Sequence, residues 1–272
     1  MADDFDLDAY FARIGYGGAA RADLETLSAL HVRHVAAIPF ESLNPLAGLP
    51  VKLDLASLQA KMVAGRRGGY CFEQNHLFRA ALEAIGFQVT GLGGRVVWMS
   101  APDAPLGPLG HMLLKVEVDG RPWLADVGFG AHLLDAPLRL EEGIEQATPA
   151  ATYQLLQREA SRLALTARQG DGWRRAYLFD LTAQLPVDYE VANWFMSTYP
   201  GMIFANMLLA ERLTEAARFN LINTRLTERR RDGTVTERAL QSADELAGVL
   251  DEVFDIEPPI PAAEVSAKIA GP

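Results

Sequence analysis

The sequence predicts an α+β chain of three compact units: a helical unit over residues 1–86, a mostly β unit over 87–192 and a mixed α/β unit over 193–272. Three observations carry that reading. Apolar residues recur at helical spacing between glycines as far as Gly86. From Phe87 onward the pattern turns to alternation around short turns, most clearly on either side of Asp119-Gly120. The last eighty or so residues (~80 of a length too great for one typical domain) combine a hairpin signal with a capped helix.

The elements follow in order. A first helix starts near Asp6, carries Tyr10, Phe11 and Ile14, and breaks at Gly17-Gly18. A second, from about Ala22, carries Leu24, Leu27, Leu30 and Val35 and ends before Ile38-Pro39. Asp54 is the expected N-cap of a third, with Leu58 and Met62 on one face and Gly65 as its stop. The fourth begins at Cys71, continues through Leu77, Phe78, Ala81, Leu82 and Ile85, and stops at Gly86. In the middle unit the run Gly91-Leu92-Gly93-Gly94 lacks the full dinucleotide fingerprint and reads as a bend before a strand at Val96-Val97-Trp98. Residues 111–118 alternate, Asp119-Gly120 turns, and a second strand runs toward Val127; further strand-like pieces reach about residue 190. In the last unit a helix is expected after Pro200, and 219–228 with 234–240 form a hairpin about Asp232-Gly233. Ser242 with Glu245 caps a helix bearing Leu246, Val249, Leu250 and Phe254, and the Pro/Ala-rich tail after Glu257 is expected to be irregular.

Composition excludes several classes. Hydrophobic residues make up 49% and charged residues 22%, which fits a globular chain with a real core. A net charge of −10 speaks against non-specific nucleic-acid binding. The acidic N-terminus has no apolar run, so no secretory signal is expected, and no stretch has the length of a membrane span. A single cysteine allows no internal disulfide and fits a reducing compartment, so a cytoplasmic protein is expected.

That cysteine is the strongest chemical signal. Cys71 follows the Gly68-Gly69 bend and opens a helix, where free amide N–H groups and the helix dipole favour a thiolate. A buried structural thiol is the alternative. A nucleophile needs a base, and the base an orienting group. With Asp119-Gly120 as a two-residue turn, Val118 faces Arg121, His111 lies opposite Gly128 and Leu113 opposite Asp126. His111 and Asp126 then share a face as diagonal neighbours, roughly 7–8 Å apart in the backbone, a gap two side chains can close. Met112, Leu114, Val116 and Val118 take the other face as core, and Pro122 falls opposite Glu117 where its missing N–H costs no rung. Singly, His111 reads as a satisfied sheet histidine and Asp126 as a turn carboxylate; together with Cys71 they read as a triad.

The run Arg67-Gly68-Gly69-Tyr70-Cys71-Phe72-Glu73-Gln74-Asn75 closely resembles the signature of the arylamine N-acetyltransferases. So do Ile38-Pro39-Phe40-Glu41, although Ser42 stands where that family usually shows Asn, and Asp126-Val127-Gly128-Phe129-Gly130 after His111. Ser197-Thr198-Tyr199-Pro200 followed by Phe204 resembles the segment entering the family's third domain. The resemblance implies a multidomain α+β fold: an N-terminal helical bundle, a central β-barrel-like domain and a C-terminal α/β lid around a cysteine-protease-like catalytic core. It implies that Cys71 takes an acetyl group from acetyl-CoA, a cosubstrate rather than a resident cofactor, and passes it to an arylamine or hydrazine. His111 would be the base and Asp126 its orienter. Phe40, Val96, Phe129 and Phe204 match acceptor-pocket positions, and Gly128 and Gly130 match the region beside the coenzyme. An amide synthase or thiol hydrolase on the same Cys-His-Asp fold is the alternative reaction, and a binding protein with a vestigial triad is the third reading. No metal is implied: His31 and His34, at i and i+3, read as a solvated or partly buried pair. Arg229-Arg230-Arg231 could touch coenzyme phosphates, but reads first as a solvated hairpin tip. Glu73 and Asn75 are expected to tie down backbone beside the site.

Overall fold

The computed structural model describes residues 5–101, 103–158 and 162–270, so the first four residues of the acidic start lie outside it. Helices α1 (Leu7–Ile14) and α2 (Leu24–Ala37) are capped by Asp6 and Asp23, whose carboxylates accept from the N–H groups of Ala9 and Thr26. A two-residue strand β1 (Phe40–Glu41) leads into α3 (Leu43–Ala47). Asp54 caps α4 (Leu55–Leu58), which widens into a π-helical turn over Gln59–Ala64 and stops at Gly65. Then α5 (Cys71–Ile85) ends on Gly86 in the left-handed conformation.

An antiparallel eight-stranded sheet follows: β2 (Gln88–Val96), β3 (His111–Val118), β4 (Arg121–Ala125), β5 (Leu138–Arg139), β6 (Gln146–Ala147), β7 (Thr152–Arg158), β8 (Arg162–Gln169) and β9 (Gly172–Ala183). Its order is β5-β4-β3-β2-β9-β8-β7-β6. The two edges approach one another: the Gln146 side chain donates to Arg139 O at 3.0 Å and accepts from Arg139 N at 2.7 Å. The sheet is thus a nearly closed barrel, which protects its edges. Its interior is apolar, with Leu92, Leu113, Leu124, Phe129, Tyr153, Leu165 and Phe179 in one cluster.

The chain continues with α6 (Pro186–Thr198), α7 (Ile203–Asn206), β10 (Leu209–Leu213), β11 (Ala217–Ile222), β12 (Arg225–Arg230), β13 (Val235–Ala239), α8 (Ala243–Glu252) and α9 (Ala262–Ala270). A second antiparallel sheet, β1-β10-β11-β12-β13, carries the N-terminal strand β1 at its edge. Ser42 reinforces that join: its hydroxyl donates to Met207 O at 3.0 Å and accepts from Leu209 N at 2.9 Å. No helix among the described residues is long and apolar enough to cross a membrane.

The β3–β4 register is the expected one: Val118 pairs with Arg121, Glu117 with Pro122 and Leu114 with Ala125, around Asp119 (φ 50°) and Gly120 (φ 71°). Met112, Leu114, Val116 and Val118 join the helical core, while Leu113 faces the barrel. Several expectations are corrected. The Gly91–Gly94 run lies within β2 rather than in a bend, and Val97 and Trp98 fall beyond the strand. A Cβ at Gly91 would stand 2.4 Å from the Tyr189 hydroxyl, and one at Gly93 2.8 Å from Leu109, so packing from distant segments demands glycine there. Helix α6 replaces the strand-like reading to residue 190 and runs through 192–193, where the sequence set its second boundary. The stretch 219–228 is itself a hairpin, turned at Asn223 (φ 53°). The tail after Glu257 contains α9, whose Val265 is fully buried against the α8 cluster.

Candidate active site

Cys71 is the first residue of α5, and the segment before it is clamped. The Glu73 carboxylate accepts from Tyr70 N at 3.1 Å and from Lys61 Nζ at 2.6 Å. Glu41, buried on β1, accepts from Arg67 at 2.6 Å and from Leu43 N at 2.7 Å. Gln74 donates to Pro39 O at 2.7 Å and Gly69 O at 3.2 Å, and hydrogen-bonds His34 at 2.7 Å. These bonds fix the Gly68-Gly69 bend, where a Cβ on Gly68 would lie 1.9 Å from Pro39 O. They leave Cys71 3% exposed at a helix N-terminus.

His111 opens β3 and Asp126 follows β4. His111 Nε2 stands 2.7 Å from Asp126 Oδ2, with both side chains buried, so the diagonal pair of the hairpin closes as its register required. Asp126 Oδ1 accepts from Asn75 Nδ2 and from Gly128 N–H, both at 3.0 Å. Asn75 also donates to Met112 O at 2.8 Å and accepts from Val127 N at 3.2 Å, so the cysteine helix holds the carboxylate directly. Behind it, Asp126 N–H donates to His31 Nε2 at 3.4 Å. Burial opposes charge on His111, but the Asp126 carboxylate outweighs it, and with the Cys71 thiol as a further hydrogen-bonding neighbour the pKa is raised to about 10. Asp126, which burial would push up, is held below its ordinary value by His111, Asn75 and Gly128. The arrangement can carry a proton between sulfur and imidazole while Asp126 keeps the ring aligned.

Cys71 and His111 face a cavity of about 1110 Å³. Phe40, Val96, Phe129, Phe204, Gly128 and Gly130, all singled out by the sequence, line the same space; Asp126 stands behind His111. Phe129 lies edge-on to His111, with ring centroids 5.4 Å apart. The two glycines have packing reasons of their own: a Cβ on Gly128 would lie 2.7 Å from Cys71 Cα, and one on Gly130 2.3 Å from the Phe40 ring. Gly128 N–H is already engaged by Asp126.

Other parts of the site escaped sequence reading. Trp98 and His132 line the wall, and Arg168, Arg174, Arg218, Arg229, Arg230 and Arg231 gather around the cavity. Only the last three stand out in the sequence; they sit at the exposed β12–β13 tip and line the cavity as well. His31 and His34, expected to be solvated or partly buried, are fully buried and hydrogen-bonded instead. Burial is the main reason their pKa values fall to about 4 and about 3. Among the described residues no group of three or more His, Cys, Asp or Glu side chains could hold a metal ion.

A family model described as N-acetyltransferase matches residues 23–261. The chain is 42% identical to an arylamine N-acetyltransferase of Mycolicibacterium smegmatis, over 92% of this chain and 90% of that protein. It is 39% identical to one of Escherichia coli (strain K12), over 92% and 88%. Among solved structures, a Mycobacterium smegmatis arylamine N-acetyltransferase superposes with a TM-score of 0.93 at 38% identity, covering 98% of this chain and 100% of that one. A Mycobacterium marinum arylamine N-acetyltransferase in complex with CoA gives 0.90 at 38% identity, covering 97% and 98%.

Proposed function

The chain belongs to the arylamine N-acetyltransferase family, and from that membership we propose that Cys71 carries the acetyl group of acetyl-CoA as a thioester to an arylamine or arylhydrazine nitrogen. Acetyl-CoA-dependent acetylation of arylamines is the activity of this acyltransferase family. The observation that carries the reading is the Cys71–His111–Asp126 array at the wall of a cavity large enough for both substrates in turn.

In the first half-reaction Cys71 sulfur attacks the thioester carbonyl, with its proton held on His111. The C–S bond to coenzyme A breaks, and the departing thiolate takes that proton. One thioester replaces another, so the step is close to balanced. The Cys71 N–H, in the first turn of α5 where no helix carbonyl precedes it, would donate to the tetrahedral oxyanion. In the second half-reaction the amine nitrogen attacks the acetyl carbon and gives its proton to His111. The Cys71–acyl bond then breaks and leaves an amide. Asp126 keeps the imidazole aligned through both.

The units divide the work: 1–86 supplies the nucleophile, 87–192 the base and its orienter, and 193–272 a third wall that helps exclude water. Phe40, Val96, Phe129 and Phe204 form the apolar seat of the acceptor ring. Gly128 and Gly130 flank the path of the coenzyme's thioester end, and the arginines at the mouth suit its phosphates. No resident cofactor, nucleic acid or membrane enters this scheme, and a free thiol nucleophile suits the cytoplasm.

The test is intact mass after incubation with acetyl-CoA alone. One acetyl group should appear, map to Cys71, and leave on addition of an aromatic amine. Double-reciprocal plots with both substrates varied should be parallel. A label on lysine, or activity retained by Cys71→Ala, would overturn the proposal; rapid release of coenzyme A without acceptor would point to the hydrolase.

A further inference from the structure

His34 takes no part in the transfer steps, yet it is fully buried and hydrogen-bonded at both ring nitrogens. It sits on α2, outside the lining of the Cys71 cavity. Its Nδ1 stands 2.9 Å from the Tyr10 hydroxyl on α1, and its Nε2 stands 2.7 Å from Gln74 Oε1 on α5. The other end of the same amide, Gln74 Nε2, reaches Pro39 O at 2.7 Å, Gly69 O at 3.2 Å and Ile38 O at 3.4 Å. Phe40, the residue after Pro39, lines the cavity, and Gly69 lies two residues before Cys71. Phe40 and Gly69 also meet in an isolated parallel bridge. Gln74 therefore spans the junction between the cavity wall and the segment that presents the nucleophile.

The hydrogens along this chain follow from the carbonyls at its end. Three backbone carbonyls face one end of the Gln74 amide, and a carbonyl can only accept. That end is the NH2 group, so Oε1 is turned to His34. Oε1 can only accept in its turn, so His34 Nε2 carries a hydrogen and donates. Burial is the largest influence on the ring and lowers its pKa to about 3 against the Gln74 bond, so His34 is neutral. A neutral ring with its hydrogen on Nε2 accepts at Nδ1. The Tyr10 hydroxyl, with no other hydrogen-bond partner among the described residues, donates there. Reversing any one link would set two lone pairs or two hydrogens face to face.

Without the His34 donor, Gln74 Oε1 becomes a buried acceptor with no partner. Turning the amide over would set Oε1 against the Pro39 and Gly69 carbonyls, and withdrawing it would release both. Either change loosens the bend that leads into Cys71. Tyr70 N–H on Glu73 and the bonds of Arg67 and Lys61 remain to hold the fold. Chemistry is less tolerant than folding of such a shift, since a misplacement of about 1 Å can cost about a hundredfold in rate.

We propose that His34 is a positioning residue for the acetylation of Cys71: its Nε2–H fixes the Gln74 amide, which holds the Pro39 and Gly69 carbonyls and so aims the Cys71 sulfur and N–H into the cavity. The inference rests on the acetyl-transfer reading above. His34 touches neither substrate and acts only through Gln74.

The experiment measures three quantities: single-turnover acetylation of Cys71 by acetyl-CoA, alkylation of Cys71 by iodoacetamide at neutral pH, and Tm. The series is the wild type, His34→Phe, His34→Gln, Tyr10→Phe, Gln74→Met and the double variant His34→Phe/Gln74→Met. His34→Phe should slow acetylation at least about tenfold. His34→Gln places an amide N–H where Nε2–H stood and should bring the rate back to within about threefold of wild type. Tyr10→Phe leaves Nε2–H on Oε1, so it should lower Tm but keep acetylation within about threefold. Gln74→Met should lose at least as much as His34→Phe, and adding His34→Phe to it should change the rate by less than about twofold. A normal acetylation rate in His34→Phe, equal losses in the Gln and Phe variants, rates that simply follow Tm, or multiplying losses in the double variant would each overturn the assignment. If His34→Phe does not fold, His34→Met, also without a donor, carries the same comparisons. Intact mass separates the two failures. No acetyl-Cys71 in the wild type defeats the transfer reading itself, and alkylation, which needs no acetyl-CoA and should rank the variants in the same order, then tests His34 alone.

Discussion

Replacing Asp126 with asparagine changes one atom and should disable the site. Oδ1 accepts from both Asn75 and Gly128, so the amide oxygen of asparagine is held in that place. The new NH2 group then takes the position of Oδ2, 2.7 Å from His111 Nε2. An NH2 group there can only donate, so Nε2 must accept and the ring proton moves to Nδ1. The ring then presents an N–H toward the thiol and cannot take its proton. Charge on the ring loses its support as well. The rise of the His111 pKa from 6.5 to about 10 corresponds to on the order of 5 kcal/mol in favour of the charged ring, the net of Asp126 foremost and Cys71 against burial. Losing most of it predicts a fall in kcat/KM of about 10⁴-fold, the size seen when orienting carboxylates in triads are amidated. The assay is coenzyme A release at saturating acetyl-CoA with an arylamine acceptor, beside thermal unfolding across pH. Because the folded-state pKa of His111 is raised, its contribution to stability is full below about pH 6.5 and is lost as pH rises through about 10. The wild type should therefore lose Tm over that window, and Asp126→Asn should start lower and slope less. A folded variant within about tenfold of wild-type kcat/KM, or one with the wild-type alkaline slope, would refute the reasoning.

Asn75→Ala removes three hydrogen bonds that join the cysteine helix to Met112, Asp126 and Val127, and leaves buried partners unpaired. Chemical denaturation should show a loss of about 2–3 kcal/mol, and kcat should fall with it. Phe129→Leu keeps apolar bulk but removes the ring edge-on to His111. The acceptor KM should rise at least about threefold, read by steady-state kinetics, with a smaller change in the acetylation half-reaction. His31, His34 and His132 are buried neutral, with pKa values lowered to about 4, 3 and 3 chiefly by burial. The unfolded chain protonates them near 6.5 and the folded chain does not, so their contribution favours folding above that pH and is progressively lost below it. Thermal unfolding from pH 6.5 down to 4 should show Tm falling, and a flat Tm over that range would contradict their buried, neutral state.

Much of this protein is written in short stretches. Asp6, Asp54, Gly65, Gly86 and Ser242 act through bonds or backbone angles within a few residues, and each bounds a helix as its type dictates. The Asp119-Gly120 turn sets the register of a whole hairpin, and that register alone brings His111 and Asp126 to one face. Helix α6 has a local signal too, masked by strand-like neighbours: Pro186 starts it and Asp188 accepts from Leu185 N–H at 2.9 Å. The glycines of β2 were not legible, because what forbids a Cβ there is Tyr189 and Leu109 arriving from elsewhere in the chain. Nor was α9, whose Pro/Ala-rich composition reads as irregular until Val265 finds an apolar cluster to fill. The cavity belongs to the same class. The pairing of β1 with β10, the near-closure of β5 on β6, and the gathering of arginines from β8, β9, β11 and β12 join positions far apart in sequence. Local pattern therefore determined where Cys71, His111 and Asp126 stand, because one helix start and one hairpin hold them. Only tertiary packing decided what stands across from them, because burial and charge at His132 are set by neighbours that no spacing in the chain records.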